Sequence, residues 1–261
     1  MDKLSLLGVT VNAGTAGEFV DRITSNAIDK KGKYVCVANV HMLVEAYNDS
    51  SFARVINNAN VITPDGMPLT WAIRWLYNIK QDRVAGMDLL PELLNKASIL
   101  NLPVFFYGGT RPMLAQTKIY LRKHFPDVKL AGTYDPPFTA RLTPSEEDKV
   151  VEMINNSGAA LVFVVLGCPK QEKWMASMVE RINAVMIGIG GALPVMIKMQ
   201  KRAPVWMQHL GLEWLFRLYQ EPKRLFKRYA VTNSKFIYLI IKEVYNRRKS
   251  QGRFNRQKQA V

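Results

Sequence analysis

Short apolar runs alternate regularly with amphipathic segments as far as Gly190, and this alternation constrains the fold more than any other feature of the chain. Runs such as YVCVA at 34–38 and LVFVVL at 161–166 are apolar at every position, as in strands that are buried on both faces. Segments of ~10–14 residues with helical apolar spacing separate these runs. The pattern predicts an α/β fold in which a parallel sheet is covered by helices on both faces.

The same pattern places the individual elements along the chain. Strands are predicted at residues 4–11, 34–38, 61–63, 104–107, 128–134, 161–166 and 184–189. Helices are predicted between them at residues 16–28, 41–47, 52–59, 68–77, 89–100, 112–124, 145–155 and 171–182. Two more helices are predicted at 206–220 and 223–248, with a break at Glu221-Pro222.

The positive charge of the chain is concentrated in its last quarter. Residues 198–261 contain 16 Lys/Arg and 3 Asp/Glu, a net charge of +13, whereas the whole chain has a net charge of +15. The split predicts an α/β body at 1–195, a basic helical appendage at 196–248, and a polar, disordered tail at 249–261. A basic appendage suits an anionic partner, and charge alone does not choose between a membrane, a nucleic acid and an acidic substrate.

The pattern of the last helix favours a membrane surface. Its apolar residues fall roughly on one face, and most of its basic residues lie elsewhere, as in helices that bind the membrane interface. These apolar residues are Phe226, Tyr229, Phe236, Ile237, Ile240, Ile241 and Val244. The alternative is a helix that packs on the body and exposes a solvated basic face. No window reaches the ~20 apolar residues of a spanning helix, and residues 1–12 lack the pattern of a signal peptide.

Loops that follow predicted strands hold the candidate functional residues, because ligands bind at the carboxyl ends of strands in parallel sheets. Asn39 and His41 follow the second strand, and Asn39 suits either a ligand contact or a helix N-cap. Asp65, in the turn Pro64-Asp65-Gly66, is compatible with an ordinary turn or with a general base at the sheet edge.

Two further loops suit phosphate or nucleotide recognition. Gly108 and Gly109 lie between a strand and a helix, where backbone N–H groups can approach a phosphate, although glycine pairs also serve as simple turns. Lys170 and Gln171 begin another helix after a strand and suit a diphosphate or a nucleobase. The turn at 188–192 is not a dinucleotide fingerprint, since Leu193 stands where a third glycine is required.

Seven segments of the chain, which include the loops described above, together resemble the WecG/TagA/CpsF family of bacterial glycosyltransferases (glycosyltransferase family 26). The resemblance covers about residues 6–229, and the segments occur in the family order. They are ANVHMLVEAYND, ANVITPDGMPLTWAIR, RVAGMDLLPELL, VFFYGGT, VVLGCPKQEKWM, IGIGGALPVMIKMQKRAP and LGLEWLFRLYQEPKRLFKR.

The resemblance implies a Rossmann-like body with a membrane-associating C-terminal appendage. It implies inverting transfer of a hexose or N-acetylhexosamine, of the N-acetylmannosaminyltransferase kind, from a UDP-sugar. The acceptor is a sugar on a polyprenyl diphosphate, at the inner face of the cytoplasmic membrane, and the products feed exopolysaccharide or teichoic acid synthesis. Self-association of the body is compatible with the family.

Carried over by motif, the resemblance makes Asp65 the general base. Asn39, His41 and Gln171 become substrate contacts, together with Gly108, Gly109 and Lys170. The basic positions Arg202, Arg217, Arg224 and Arg228 would close over the site and stabilise the departing diphosphate, or else contact only membrane or solvent. Many family members have Thr where this chain has Val37, which leaves the donor sugar open.

No metal or other cofactor is expected. The chain has no Asp-x-Asp pattern that would hold a divalent ion against a diphosphate, and cationic side chains with backbone N–H groups can replace the metal. The alternatives are a dinucleotide-dependent oxidoreductase, which lacks its glycine fingerprint here, and a nucleic-acid-binding protein, which the apolar face of the tail disfavours. A catalytically silent membrane scaffold is the third alternative, and the intact Asp65 disfavours it.

Overall fold

A computed structural model describes residues 1–137 and 142–259 of the chain. The strands in that part are β1 (Asp2–Leu6), β2 (Val9–Ala13), β3 (Lys33–Ala38), β4 (Val61–Pro64), β5 (Val104–Gly108), β6 (Leu130–Tyr134), β7 (Leu161–Val165) and β8 (Val185–Gly188). The helices are α1 (Ala16–Ile28), α2 (Val40–Asn48), α3 (Ser50–Asn57), α4 (Met67–Tyr77), α5 (Gly86–Ile99), α6 (Arg111–His124), α7 (Pro144–Asn156), α8 (Lys170–Met178), α9 (Ala192–Met196), α10 (Val205–His209), α11 (Glu213–Gln220) and α12 (Pro222–Gln259).

Strands β3 to β8 form one sheet in the order β4-β3-β8-β7-β5-β6, and every neighbouring pair is parallel. The helices that follow the neighbouring strands β3 and β8, namely α2 and α9, lie on opposite faces of this sheet. A crevice therefore opens between their loops at the carboxyl edge, which is where ligands bind in such sheets. The predicted Rossmann-like α/β fold is confirmed.

Alternate residues of the buried strands supply two separate cores, one on each face of the sheet. In β3, Val35 and Val37 belong to the core that contains residues of α1, α5, α6 and α9, whereas Tyr34 and Cys36 belong to the core that contains residues of α2, α3, α4, α7, α8 and α12. Both faces are apolar because both are covered, which explains the uninterrupted apolar runs in the sequence.

The first predicted strand, at residues 4–11, is in fact an antiparallel hairpin of β1 and β2. Leu7 and Gly8 turn the chain with φ of 51° and 83°, in the left-handed region that a two-residue hairpin turn of this twist requires. The hairpin does not join the main sheet. Asn12 attaches it to the edge strand, since its side-chain oxygen accepts a hydrogen bond from the Ile62 N–H at 2.8 Å.

The predicted helix at 206–220 is interrupted in the structure and forms α10 and α11. Gly211 lies between them with φ of 70°, and a Cβ atom there would lie 2.9 Å from the Trp71 ring. The break therefore lets the backbone lie against α4. Trp214, the second residue of α11, packs edge-on against Tyr229 of α12 and so joins α11 to α12.

Helix α12 packs on the body with part of the face that the sequence predicts to be apolar. Tyr229, Phe236 and Ile240 are buried, the last two in the core against α2, whereas Ile237 and Ile241 are 58% and 62% exposed. One side of the helix thus packs on the body, and a second apolar side faces solvent. Binding of that second side to a membrane remains a prediction.

Two predicted boundaries of the appendage differ from the observed elements. Helix α9 spans the predicted boundary at 195/196, and Met196 and Ile197 belong to a core of the body. Helix α12 continues to Gln259 instead of ending near residue 248, since no proline interrupts the segment and its Arg, Lys and Gln residues favour helix. No helix in the described part of the chain is both long and apolar enough to span a bilayer.

Candidate active site

Asp65 lies at the carboxyl edge of the sheet, directly after β4. Its backbone N–H donates a hydrogen bond to the carbonyl oxygen of Ala38, the last residue of the neighbouring strand β3, at 2.7 Å. The loops after β3 and β4 are thereby held together, and the carboxyl group stands half-buried at the start of α4. Within residues 1–137 and 142–259 no group hydrogen-bonds this carboxyl.

The surroundings of Asp65 raise its pKa to about 7. Burial is the main cause, and the negative charge of Glu213 adds to it, with a smaller contribution from Asp88. Arg217 and Arg83 oppose the shift. A carboxyl with a pKa close to neutrality suits a general base, because it can accept a proton with useful strength and is still ionised in a large fraction of molecules.

An ion-pair network links the body to the appendage beside Asp65. Arg83 pairs with Asp88 of α5 at 2.7 Å and with Glu213 at the start of α11. Asp88 in turn pairs with Arg202 in the segment between α9 and α10. The Arg83 and Glu213 side chains are only 15% and 16% exposed, so this contact is shielded from solvent. The second oxygen of Glu213, Oε1, is buried without a hydrogen-bond partner among the described residues.

Arg217 reaches the site from α11, one helical turn after Glu213. Its guanidinium donates to the carbonyl oxygen of Gly191 at 3.2 Å, at the turn that follows β8. A Cβ atom on Gly191 would lie 2.5 Å from the Arg217 Nη2 atom, so a side chain at this position would displace the guanidinium. The arginine is therefore held at the crevice between the β3 and β8 loops.

Asn39 and His41 occupy the loop after β3 and the first turn of α2. The Asn39 side-chain oxygen accepts a hydrogen bond from the Met42 N–H at 3.2 Å, which is the N-cap alternative. Burial, assisted by the charge of Arg228, lowers the pKa of His41, so this side chain is neutral at pH 7. Its Nδ1 atom has no hydrogen-bond partner among the described residues.

Gln171 is buried at the start of α8, and its amide is already engaged. Its oxygen accepts from the Gly167 N–H at 3.2 Å, and its nitrogen donates to the buried Glu172 carboxyl at 2.8 Å. Gln171 thus fixes the loop after β7. Its predicted contact with substrate remains a prediction, as does that of the exposed Lys170 beside it.

The Gly108-Gly109 loop is also internally bonded. The Gly109 N–H donates to the Val165 carbonyl oxygen at 2.9 Å, so this backbone donor is not free for a phosphate in the observed conformation. Thr110 accepts from the Met113 N–H at 3.4 Å and caps α6. The role of the two glycines in phosphate binding remains a prediction.

The four predicted appendage arginines are distributed over three places. Arg217 and Arg202 belong to the surroundings of Asp65 and its ion-pair network. Arg224 is exposed and pairs with Glu221. Arg228 lies against the ring of Tyr229, 5.1 Å from its centroid, and influences His41.

The sequence pattern does not single out Arg83, Asp88 or Glu213, although all three lie in the segments that resemble the family. Their importance depends on contacts between distant parts of the chain, which spacing does not reveal. Within the described ranges, no group of three or more His, Cys, Asp or Glu side chains is arranged to hold a metal ion. Independence from metal stays a prediction.

A family model, that of the glycosyl transferase WecG/TagA/CpsF family, matches residues 4–250. The match includes the body, α10, α11 and most of α12. It therefore contains every residue of the ion-pair network beside Asp65.

Proposed function

The chain belongs to the WecG/TagA/CpsF family of glycosyltransferases, and on that premise we propose which transfer it catalyses. A hexose or N-acetylhexosamine passes, with inversion, from a UDP-sugar to a sugar carried on a polyprenyl diphosphate. The product enters the synthesis of a cell-surface polysaccharide or teichoic acid. One observation carries the proposal: a half-buried carboxyl with a pKa of about 7 lies at the carboxyl edge of the sheet, where the charges of two arginines act on it.

In the proposed step Asp65 accepts the proton of an acceptor hydroxyl while that oxygen attacks the anomeric carbon of the donor. The new C–O bond forms on the face opposite the leaving group, and the bond from the anomeric carbon to the diphosphate oxygen breaks. UDP leaves with the electron pair of that bond, and Asp65 later releases its proton to solvent. Each atom and charge is thereby accounted for without a metal ion.

Arg217 is suited to stabilise the leaving diphosphate, because it is fixed at the crevice by Gly191 and already acts on the charge at Asp65. Arg83 can contribute when the diphosphate competes with its carboxylate partners. Selection of the donor is proposed to depend on residues in the other loops at the carboxyl edge of the sheet. These are Asn39, His41, Gly108, Gly109, Lys170 and Gln171.

The proposed location is the inner face of the cytoplasmic membrane, with α12 as the contact. Its solvent-facing side combines the exposed residues Phe226, Ile237 and Ile241 with the exposed Lys227 and Lys242. Apolar side chains can enter the interface while lysines pair with anionic headgroups. This location brings the active site to a lipid-linked acceptor.

The test is acceptor-dependent release of UDP. The full chain is offered UDP-N-acetylmannosamine, UDP-glucose and UDP-N-acetylglucosamine, with and without vesicles that contain polyprenyl-diphosphate-linked N-acetylglucosamine. We expect release from one donor only when acceptor is present, and a loss of at least ~10²-fold in kcat for Asp65→Asn. The matched control is Asp127→Asn, which removes an exposed carboxyl far along the chain from the site.

A folding defect in Asp65→Asn is distinguished by thermal unfolding. Burial raises the pKa of Asp65 above its unfolded value, so the ionised carboxyl costs stability above about pH 7, and the neutral amide removes this cost. The variant should therefore melt no lower than the wild-type protein at pH 8. Near-normal turnover by Asp65→Asn would show that Asp65 is not the general base. Failure of the wild-type protein to release UDP from any donor would favour the alternative of a catalytically silent membrane scaffold.

A further inference from the structure

A cavity of about 710 Å³ lies between the body and the appendage. Its walls come from α5, α6, α9 and α11 and from the segment that joins α9 to α10. The volume is in the range of cavities that bind small ligands. None of the candidate residues at the strand ends lines it, so it is a separate space from the crevice at Asp65.

The lining of this cavity has two chemical parts. Met87, Val195 and Phe216 contribute apolar surface, and Lys198, Lys201 and Arg202 contribute positive charge. No acidic side chain is among the lining residues, although Asp88 pairs with Arg202 from outside the lining. A ligand that matches both parts has an anionic head and an apolar chain.

The cationic part is held in place by the appendage. Gln220 of α11 donates to the carbonyl oxygen of Lys201 at 3.2 Å, and the Gln200 side chain donates to Glu221 at 3.2 Å. The segment that carries the basic residues is thus fixed against α11 and the start of α12. The appendage forms part of the cavity wall.

Arg202 connects the cavity to the surroundings of Asp65, because it lines the cavity and pairs with Asp88, whose charge acts on Asp65. Met87 lines the cavity and is followed by Asp88, which pairs with both Arg202 and Arg83. Phe216 also lines the cavity, and the next residue, Arg217, acts on the charge of Asp65. A ligand whose head lies at Arg202 can therefore extend a further group toward Asp65.

Exposed apolar residues follow directly after one of the lining residues, Pro204. The next two residues, Val205 and Trp206, are 65% and 59% exposed. A nucleotide would leave these side chains in water, whereas a long hydrocarbon chain would cover them on its way to the bilayer. The arrangement thus favours a lipid anion over a nucleotide.

We propose that this cavity binds the diphosphate and the first isoprenoid units of the lipid acceptor. The inference rests on the proposed function, since it identifies where the acceptor of that transfer is held. Lys198, Lys201 and Arg202 bind the diphosphate, and the apolar wall at Val195 and Phe216 holds the start of the chain. The sugar beyond the diphosphate then lies toward Asp65.

Binding of farnesyl diphosphate to the full chain, measured by calorimetry without membranes or donor, tests the inference. We expect saturable binding that Lys198→Gln/Lys201→Gln weakens at least tenfold. The matched control is Lys31→Gln/Lys129→Gln, which removes the same charge from exposed positions outside the cavity and should bind like wild type. Phe216→Ala should weaken farnesyl diphosphate while leaving binding of inorganic diphosphate unchanged.

Turnover provides a second readout. The Lys198→Gln/Lys201→Gln variant should raise the KM for the lipid acceptor at least tenfold and leave the KM for the UDP-sugar unchanged. An unchanged acceptor KM in an active enzyme, or equal loss of farnesyl diphosphate binding in the control variant, would overturn the cavity assignment while transferase activity stands. If the protein binds farnesyl diphosphate as expected but turns over no UDP-sugar, the proposed function fails and the lipid site remains.

Discussion

At the scale of single residues, the pKa of Asp65 is set by a balance between groups from the body and from the appendage. Glu213 and burial raise the pKa, and Arg217 and Arg83 lower it. Two of the charged groups, Glu213 and Arg217, belong to α11. The basicity of the proposed catalytic carboxyl is therefore linked to docking of the appendage.

This balance predicts how the pH dependence of transfer responds to substitution. A base works when deprotonated, so kcat/KM should fall as pH decreases through about 7, where Asp65 becomes protonated. Glu213→Gln removes a negative charge and should move the midpoint to lower pH, whereas Arg217→Gln should move it to higher pH. Initial rates between pH 5 and 9 measure both shifts.

Glu221→Gln is the matched control, because Glu221 belongs to the same appendage but pairs with Arg224. Its midpoint should equal that of the wild-type protein. Midpoints that move together in Glu213→Gln and Arg217→Gln, or that do not move in either, would contradict this account of Asp65.

The sequence identifies Asp65 because a single position after an apolar strand is enough to place it at the sheet edge. It does not identify the Arg83–Glu213 pair, whose members lie 130 positions apart. Nor does it decide between the two roles of Asn39, because the N-cap hydrogen bond to Met42 and a ligand contact require the same residue type. Local sequence pattern thus identifies a site residue whose position depends on one loop. It does not identify residues whose role depends on contacts between distant parts of the chain.

At the scale of elements, α12 has one apolar side on the body and another facing solvent. Phe236 is buried in the core, and the next residue, Ile237, is exposed. These neighbours allow the two sides to be tested separately at nearly the same position along the helix.

Phe236→Ala should destabilise the protein by about 3–5 kcal/mol, because it opens a cavity between α12 and the body. Ile237→Ala should change stability by less than about 0.5 kcal/mol, yet weaken binding to phosphatidylglycerol vesicles several-fold. Urea unfolding and vesicle sedimentation measure the two effects. Strong destabilisation by Ile237→Ala, or undiminished vesicle binding, would contradict the solvent-facing role.

Helices and strands can be predicted where apolar periodicity determines their type and bounds. They are harder to predict where the backbone conformation of a single residue changes the direction of the chain. Helix α1 matches its predicted range, residues 16–28. The hairpin and the α10–α11 break depend on left-handed conformations at Leu7 and at Gly211, and an apolar pattern that continues through a turn does not reveal them. The two-sided packing of α12 depends on where α2 lies, which is a property of the assembled fold.

At the scale of the whole molecule, the net charge of +15 is carried almost entirely by the segment that includes the appendage. Lys/Arg residues near an anionic bilayer contribute about 1 kcal/mol each, and screening reduces this contribution. The body is close to neutral, so we expect attraction to an anionic bilayer to act on the appendage and to orient the molecule.

Binding to vesicles that contain phosphatidylglycerol should therefore weaken strongly between 0.1 M and 1 M NaCl. Lys227→Gln/Lys242→Gln should reduce binding roughly 30-fold at low salt, from the loss of about 2 kcal/mol. The Lys31→Gln/Lys129→Gln pair on the body should have little effect. Salt-independent binding, or equal loss from both pairs, would argue against orientation by α12.

The N-terminal hairpin has a consequence for crowding of this protein on a surface. A parallel sheet exposes unpaired backbone groups along its outermost strand, where a strand from a neighbouring molecule could add itself. Here β4 is outermost, and Asn12 satisfies the Ile62 N–H while the hairpin packs alongside. The hairpin therefore hinders a strand of a neighbouring molecule from pairing with β4 when copies lie close together.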